Sequence, residues 1–126
     1  MSIGPRRAVI DSNILIDFLA GRPEARALIA DLDERYVSVV ARAEVHTGIY
    51  SPASRNGAAA LFSQCRMIAV GIEIADIAAQ IRQSTKLKLP DALIAATAGH
   101  LGLPLLTRDL AITPDGVEVI VPHRLQ

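Results

Sequence analysis

Residues 8–13, Ala-Val-Ile-Asp-Ser-Asn, decide the fold class of this 126-residue chain. Three apolar residues without polar alternation precede Asp11, which predicts a short strand over residues 8–11 that is buried on both faces. Ser12 and Asn13 suit the start of a helix over residues 14–20, which Gly21 ends. A buried strand that passes directly into a helix favours an α/β domain.

The rest of the chain continues this alternation of strands and helices. We predict helices over residues 24–33, 41–48, 53–65, 73–85 and 90–101, and strands over residues 36–40, 67–70, 103–107 and 117–121, with a turn over 113–116. In the fourth helix we expect residues 58–62 to face inward, and the sixth is apolar nearly all round, which predicts burial. The pattern predicts one three-layer α/β domain over residues 1–126, with a mainly parallel central sheet flanked by helices.

Composition excludes several classes of function. Thirteen basic and thirteen acidic residues cancel, which argues against a strongly basic nucleic-acid clamp or a polybasic membrane anchor. With 3% aromatic residues and no Trp, a base-stacking platform for single strands is not expected. The single cysteine, Cys65, excludes an internal disulfide framework and a Cys-rich zinc site, and we expect it to be a small core residue. No apolar run has the length of a membrane span, so we expect a soluble cytoplasmic protein with no membrane partner.

Four acids fall where the carboxyl ends of parallel strands would meet. Ligands bind at that edge in α/β sheets, so we expect the four side chains to converge there. Each has an alternative reading: Asp91 favours a helix start, Glu44 could lie on an exposed helix surface, and Asp109 could cap a turn. Asp11, directly after an apolar strand, is partly desolvated and needs a partner. The candidate site acids are Asp11, Glu44, Asp91 and Asp109, whereas Asp31, Asp33, Glu34, Asp76 and Glu118 are predicted to be solvated surface residues.

Clustered carboxylates raise one another's pKa unless a cation compensates their charge. Oxygen ligands without a Cys/His set suit Mg²⁺ or Mn²⁺, which also bind substrate phosphates. Such a metal would orient or deprotonate water and offset charge on a phosphodiester transition state. The acids therefore predict nuclease chemistry in a chain that is not basic, and eleven arginines leave local phosphate contacts available.

Four segments resemble, in the right order, the successive motifs of the PIN-domain ribonucleases. They are residues 9–17 (VIDSNILID), 37–44 (VSVVARAE), 89–98 (LPDALIAATA) and 105–109 (LLTRD). The resemblance covers essentially the whole chain, and the chain length and the third segment are most similar to the VapC toxins of bacterial toxin–antitoxin pairs.

The resemblance implies a metal-dependent endoribonuclease with an acidic pocket. By position, Asp11, Glu44 and Asp91 match the acids most strongly tied to metal binding, and Asp109 would be the fourth. Asn13 and Thr107 match the polar positions beside them. The family further implies a homodimer, an RNA substrate and a VapB-like antitoxin whose tail enters the active-site groove.

The last motif departs from the family pattern. After Asp109, the family often has a second Asp three residues later, but Ile112 stands there. Asp115 follows in a Pro-Asp-Gly turn, which is its expected role. The resemblance therefore specifies a fourth ligand, and a second metal about 3.5–4 Å from the first, less well than it specifies the first site.

For the remaining polar residues, a functional role is weighed against an ordinary structural or surface role. Arg42 and Arg108, and Arg6 or Arg7, either contact RNA phosphates or are solvated or ion-paired. Asp17 either binds an antitoxin, is exposed or supports the site. Ser12 is expected to cap the first helix rather than act as a nucleophile. His46, two residues after Glu44, should point away from that acid, and neither His100 nor His123 has a partner motif, so a two-histidine nuclease is not supported.

Three other functions remain as alternatives to a VapC-like endoribonuclease. One is a degenerate PIN-like module that binds RNA or protein without cleavage. Another is a phosphatase of the haloacid-dehalogenase kind, but Asn13 occupies the place of its second Asp. A purely structural protein would leave the four acids unexplained.

Overall fold

The computed structural model describes residues 6–49, 51–109 and 116–120, in which strands and helices alternate along the chain. The elements are β1 (Arg7–Ile10), α1 (Ser12–Leu19), α2 (Pro23–Ala30), β2 (Glu34–Ser38), α3 (Val39–Thr47), α4 (Pro52–Phe62), β3 (Arg66–Ile68), α5 (Ile72–Ser84), α6 (Leu89–Leu101), β4 (Leu105–Leu106) and β5 (Val119–Ile120). The strands form one sheet that the helices flank, which confirms the predicted α/β fold.

The sheet has the order β3-β2-β1-β4-β5, and every described pairing is parallel. The first strand of the chain is therefore the central one. Val9 lies opposite Tyr36 of β2 on one side and Leu105 of β4 on the other. From β1 the chain progresses to one edge through β2 and β3, then returns to the other side of β1 with β4. The strand order reverses there, and α/β proteins bind ligands at the carboxyl ends of strands beside such a reversal.

The core consists of the central strands and the helices packed on them. Ala8, Val9 and Ile10 of β1 and Leu105 of β4 are fully buried, as predicted for strands covered on both faces. Helix α6 packs against α5 and β1 and is buried over most of its length, which confirms its apolar pattern. Gly102 ends α6 with a φ of 66°, a left-handed conformation that lets the chain turn towards β4.

The second strand ends two residues earlier than predicted. Val39 and Val40 belong to α3, because the Ser38 side chain caps that helix by accepting a hydrogen bond from the Val40 amide at 3.1 Å. Their β-branched side chains favour a strand in isolation, but the cap determines the boundary. The prediction for residues 58–62 was also partly wrong: Ala58 is buried, but Ala59 and Ala60 are exposed on α4.

The other predicted elements are present, with shifted ends. Strand β4 is shorter than the predicted range 103–107, and β5 has two described residues. The predicted turn over 113–116 lies outside the described residues except for Gly116, as does Val121. Within the described ranges, no helix is long and apolar enough to cross a membrane.

Candidate acidic site at the carboxyl edge of the sheet

Asp11 lies between β1 and α1 and is 2% exposed. Its backbone is extended, so it serves as the N-cap of α1, and its Oδ1 accepts the Ser12 amide at 2.7 Å. Its Oδ2 accepts the Thr107 hydroxyl at 2.7 Å across the gap between β1 and β4. The prediction that this carboxylate is desolvated and needs partners is confirmed.

Thr107 is fully buried, and its hydroxyl is saturated with hydrogen bonds. The oxygen accepts Nδ2 of Asn13 at 3.2 Å and the amide of Asp109 at 3.0 Å, while the hydroxyl hydrogen is donated to Asp11. A hydroxyl has one donor and two acceptor positions, so all three are used. The structure therefore brings Asn13 and Thr107 beside Asp11.

Ser12 connects the first acid to the second. Its Oγ donates to Oε1 of Glu44 at 3.0 Å and lies 3.5 Å from Oδ1 of Asp11. The expectation that Ser12 caps α1 was wrong, because the preceding aspartate takes that position and leaves the hydroxyl for Glu44. Glu44 projects from α3 and is half-buried, between its two predicted alternatives of exposed surface and site.

Asp91 interacts electrostatically with both Asp11 and Asp109. Asp91 is in the first turn of α6, as expected for an acid that favours a helix start. Asp91 and Asp109 are both half-buried. Burial raises the pKa of Asp11, and the nearby charges of Asp91 and Glu44 raise it further. Burial also raises the pKa of Asp91, with an added contribution from Asp109. The four predicted acids are therefore coupled in charge at one edge of the sheet.

The donor set fits a hard divalent cation in its chemistry. The four acids offer carboxylate oxygens, which Mg²⁺ and Mn²⁺ prefer, and a cation would compensate the repulsion between carboxylates that adds to the effect of burial on the pKa of Asp11 and Asp91. Among the described residues no group of three or more His, Cys, Asp or Glu side chains is arranged so that it could hold a metal ion. Mg²⁺ keeps several waters and is held by one or two carboxylates, so it does not need such an arrangement.

One buried ion pair beside the site could not be inferred from the motifs. Asp17 of α1 is 5% exposed, and Oδ2 of its carboxylate accepts Nε of Arg108 at 2.7 Å. For Arg108 the ion-paired interpretation is thus confirmed, and Asp17 is not an exposed residue. The available sequence signal was that Asp17 follows Asn13 by four residues, which places both on one helix face.

The other arginines considered as RNA contacts interact with side chains of the protein itself. The guanidinium of Arg42 stacks over Phe62 at 5.0 Å, and Arg6 and Arg7 pair with Asp33 and Glu34. Glu34 is only half-buried rather than fully solvated, since Arg66 also pairs with it.

The histidines and the cysteine make contacts away from the four acids. His46 packs on the ring of Phe62, and His100 lies 3.5 Å from Glu73. The half-buried Cys65 packs against the core. Ile112, Asp115 and His123 lie outside the described residues.

Comparison with known proteins places this geometry in a family. Residues 8–113 match the model of the PIN domain. A chain in a toxin-antitoxin complex from Klebsiella pneumoniae has a TM-score of 0.81 and 35% identity, covering 92% of this chain and 98% of that one.

Two more distant structures share the fold. A chain of VapBC2 from Rickettsia felis, bound to a DNA fragment from their promoter, has a TM-score of 0.77 at 14% identity, with 92% of this chain and 98% of that one covered. A chain of DNA-bound VapBC from Salmonella typhimurium has a TM-score of 0.75 at 20% identity, covering 91% and 97%. No curated protein matches the sequence significantly.

Proposed function

Because the chain belongs to the PIN domain family, we propose that it is a metal-dependent endoribonuclease, the toxin of a VapC-type toxin–antitoxin pair. The observation that carries this proposal is the buried Asp11, held by Ser12 and Thr107 and coupled in charge to Glu44 and Asp91. A purely structural role would not explain why carboxylates that repel one another lie at the edge where α/β sheets bind ligands.

In this proposal Asp11, Glu44 and Asp91, with Asp109, hold Mg²⁺ or Mn²⁺. The bound cation supplies an oriented and acidified water and offsets charge on the phosphodiester in the transition state. The chain's own contribution is to orient the oxygen ligands. Ser12 holds the carboxylate of Glu44 beside that of Asp11.

Thr107 and Asn13 orient Asp11 from the opposite side. The Thr107 hydroxyl fixes Oδ2, and the Asn13 amide fixes the hydroxyl, so the carboxylate cannot rotate without breaking buried hydrogen bonds. Groups fixed in this way need little reorganisation when substrate binds, which favours catalysis by position. Arg42, on the same helix as Glu44, is exposed and remains a candidate contact for an RNA phosphate.

The test is cleavage of a mixed panel of structured and single-stranded RNAs by the purified protein with Mn²⁺, with Mg²⁺ or with chelator. We expect discrete cuts that require metal and fall about 100-fold or more in Asp11→Asn, since metal stabilisation of transition-state charge amounts to several kcal/mol. The matched control is Asp76→Asn, an exposed acid on α5. Cleavage by Asp11→Asn at the wild-type rate would contradict the proposal that Asp11 holds the catalytic metal.

A binding module without catalysis is the second candidate. The observation that favours it is that no group of three or more His, Cys, Asp or Glu side chains among the described residues is arranged to hold a metal ion. This candidate predicts that RNA binds while no RNA of the panel is cut, with or without Mn²⁺.

We further propose that the chain binds a protein antitoxin and pairs with a second copy of itself in the cytoplasm. Support for the antitoxin comes from the relative with 35% identity, which is part of a toxin-antitoxin complex. A surface groove of about 480 Å³ offers a place for an apolar segment of that partner. Its lining is mostly apolar and comes from α1, α3, α4 and the chain between α3 and α4: Ile16, Leu19, Ala20, Val45, Gly48, Ile49, Ala53, Ser54 and Gly57.

Ile16 tests this groove because it is 47% exposed. We expect Ile16→Asp to weaken binding of an antitoxin that the wild type binds, while RNA cleavage by the isolated protein is kept. Ile72→Asp, at an exposed isoleucine on α5 outside the groove, is the matched control. Light scattering of the free chain tests self-association.

A further inference from the structure

Helix α1 makes a second polar contact with the chain that follows β4. Asp17 lies one turn beyond Asn13 on the same helix face. Its carboxylate accepts two hydrogen bonds from the guanidinium of Arg108, from Nε to Oδ2 at 2.7 Å and from Nη2 to Oδ1 at 3.3 Å. Arg22 adds a longer contact, with Nη1 at 3.9 Å from Oδ1. A two-point contact of this kind fixes orientation as well as distance.

The backbone of the same segment is also bound to α1. The amide of Arg108 donates to Oδ1 of Asn13 at 3.1 Å. The next amide, that of Asp109, donates to the Thr107 hydroxyl at 3.0 Å. Besides the bond from Asn13 to the Thr107 hydroxyl, residues 107–109 are therefore attached to α1 through one side chain and one amide of Arg108, which bind two helix residues one turn apart.

We infer that the Asp17–Arg108 ion pair positions residues 107–109, and with them the Thr107 hydroxyl and the Asp109 carboxylate, relative to Asp11. Asp17 and Arg108 are thus positioning residues that act through their neighbours. The consequence for catalysis rests on the proposed nuclease function, whereas the consequence for the structure of the segment does not.

The structural consequence is tested first, without metal or RNA. The variants are Asp17→Asn, which removes the charge at nearly constant shape, and Arg108→Lys, which keeps the charge and removes the fork. Their matched controls are Glu34→Gln and Arg66→Lys, whose pair has Nη2 of Arg66 at 2.6 Å from Oε2 of Glu34. Glu34 and Arg66 begin β2 and β3, so this pair lies at the amino edge of the same sheet, away from the acids.

The readout is hydrogen exchange at the amides of Arg108 and Asp109, with the amides of α5 as the internal reference. We expect exchange at the two amides to quicken about tenfold in Asp17→Asn and Arg108→Lys, beyond any change in α5, and to stay unchanged relative to α5 in both controls. Exchange that quickens equally in α5 and in the segment would show general destabilisation only. That result, or no change in folded variants, would overturn the inference.

The catalytic consequence is tested by Mn²⁺ affinity and by steady-state cleavage of an RNA that the wild type cuts. Removing groups that orient the ligands of a metal typically lowers affinity or activity about 10–100-fold. We expect that loss in kcat or Mn²⁺ affinity, with KM nearly unchanged, because neither residue is assigned a substrate contact. A raised KM with a shallower salt dependence and unchanged kcat would instead identify Arg108 as a phosphate contact and overturn the catalytic part.

The two parts can fail separately. If the wild type neither binds Mn²⁺ nor cleaves any RNA, the proposed function fails, and hydrogen exchange alone decides whether the ion pair positions the segment. If the wild type is active and the exchange of Arg108 and Asp109 is unaffected by the variants, the inference fails while the function stands.

Discussion

The Thr107 hydroxyl donates a hydrogen bond of 2.7 Å to Oδ2 of Asp11, from a position 96 residues further along the chain. Both atoms are buried, and the bond joins the ends of two neighbouring parallel strands, β1 and β4. It lowers the pKa of Asp11, against the larger effect of burial, which raises it. This hydroxyl therefore favours the charged form of the first acid of the site and fixes the direction of its Oδ2.

Thr107→Val should destabilise the protein, because it leaves a buried carboxylate and two amide donors without their partner. The expected loss in free energy of unfolding is about 1–3 kcal/mol, the usual effect of an unsatisfied buried polar group. Thr107→Ser keeps the hydroxyl and loses one methyl group, worth about 0.8 kcal/mol. Urea denaturation of the two variants measures the difference, and equal losses would mean that the hydroxyl contributes nothing beyond its volume.

The stability of the protein should fall as the pH rises through the range in which Asp11 titrates. Burial raises the pKa of Asp11 from its ordinary value of 3.8, so the folded chain binds the proton more tightly than the unfolded chain. The contribution of this group is therefore complete below the unfolded pKa and is lost as the pH rises through the folded one. Asn also caps helices well, so Asp11→Asn keeps α1 capped.

The difference between wild type and Asp11→Asn isolates this titration from that of other groups. We expect the variant to gain free energy of unfolding relative to the wild type as the pH rises above 3.8, the ordinary pKa of the carboxyl, through the raised pKa of the folded state. Denaturant titrations of both proteins at several pH values measure the difference. A difference that stays constant with pH would show that the carboxyl has the same pKa in both states.

Divalent cations should stabilise the folded protein at neutral pH, because they compensate the carboxylates that burial and mutual repulsion destabilise. At a concentration ten times the dissociation constant, a cation that binds only the folded state adds about 1.4 kcal/mol. The melting temperature should rise with Mg²⁺ or Mn²⁺ and respond less in Asp91→Asn. The exposed acid of Asp76→Asn serves as control, and an equal response of all three proteins would place the cation elsewhere.

Ser12→Ala and Ser51→Ala should affect different properties. The Ser51 hydroxyl caps α4 by accepting the Ser54 amide at 3.1 Å, so its loss costs about 1 kcal/mol of stability with little effect on cleavage. Ser12 is not a cap, and its loss frees Glu44 instead. We expect Ser12→Ala to lower the cleavage rate more than the stability, measured by RNA cleavage and thermal melting. The opposite ranking would mean that the bond to Glu44 is only structural.

The sequence was sufficient to predict the fold and the edge of the sheet at which the acids lie. A buried strand ending in Asp11, and alternating strands and helices after it, predict parallel pairing, and parallel pairing brings strand ends together. The ends of β1 and β4 are neighbours for this reason, which brings Thr107 against Asp11. No knowledge of side-chain contacts was needed.

What the sequence could not supply were contacts between side chains from distant elements. The bond from Ser12 to Glu44 and the pair of Asp17 with Arg108 leave no trace in hydrophobic periodicity, since each partner is also acceptable on a solvated helix or loop. The boundary between β2 and α3 was missed for a related reason. One hydroxyl of Ser38 outweighed the strand preference of the two valines after it.

The position of β1 at the centre of the sheet has a consequence for the order of events during synthesis. Asp11 and the strand before it leave the ribosome before the neighbouring β4 and the Thr107 hydroxyl, which follow about a hundred residues later, at about 5–20 residues per second. Closing so long a loop is among the slower steps of folding. Until it closes, the first acid lacks the hydrogen bond from Thr107, and Asp109 is absent from the site. A growing chain therefore carries an incomplete site until Thr107 and Asp109 have been made and β4 has paired with β1.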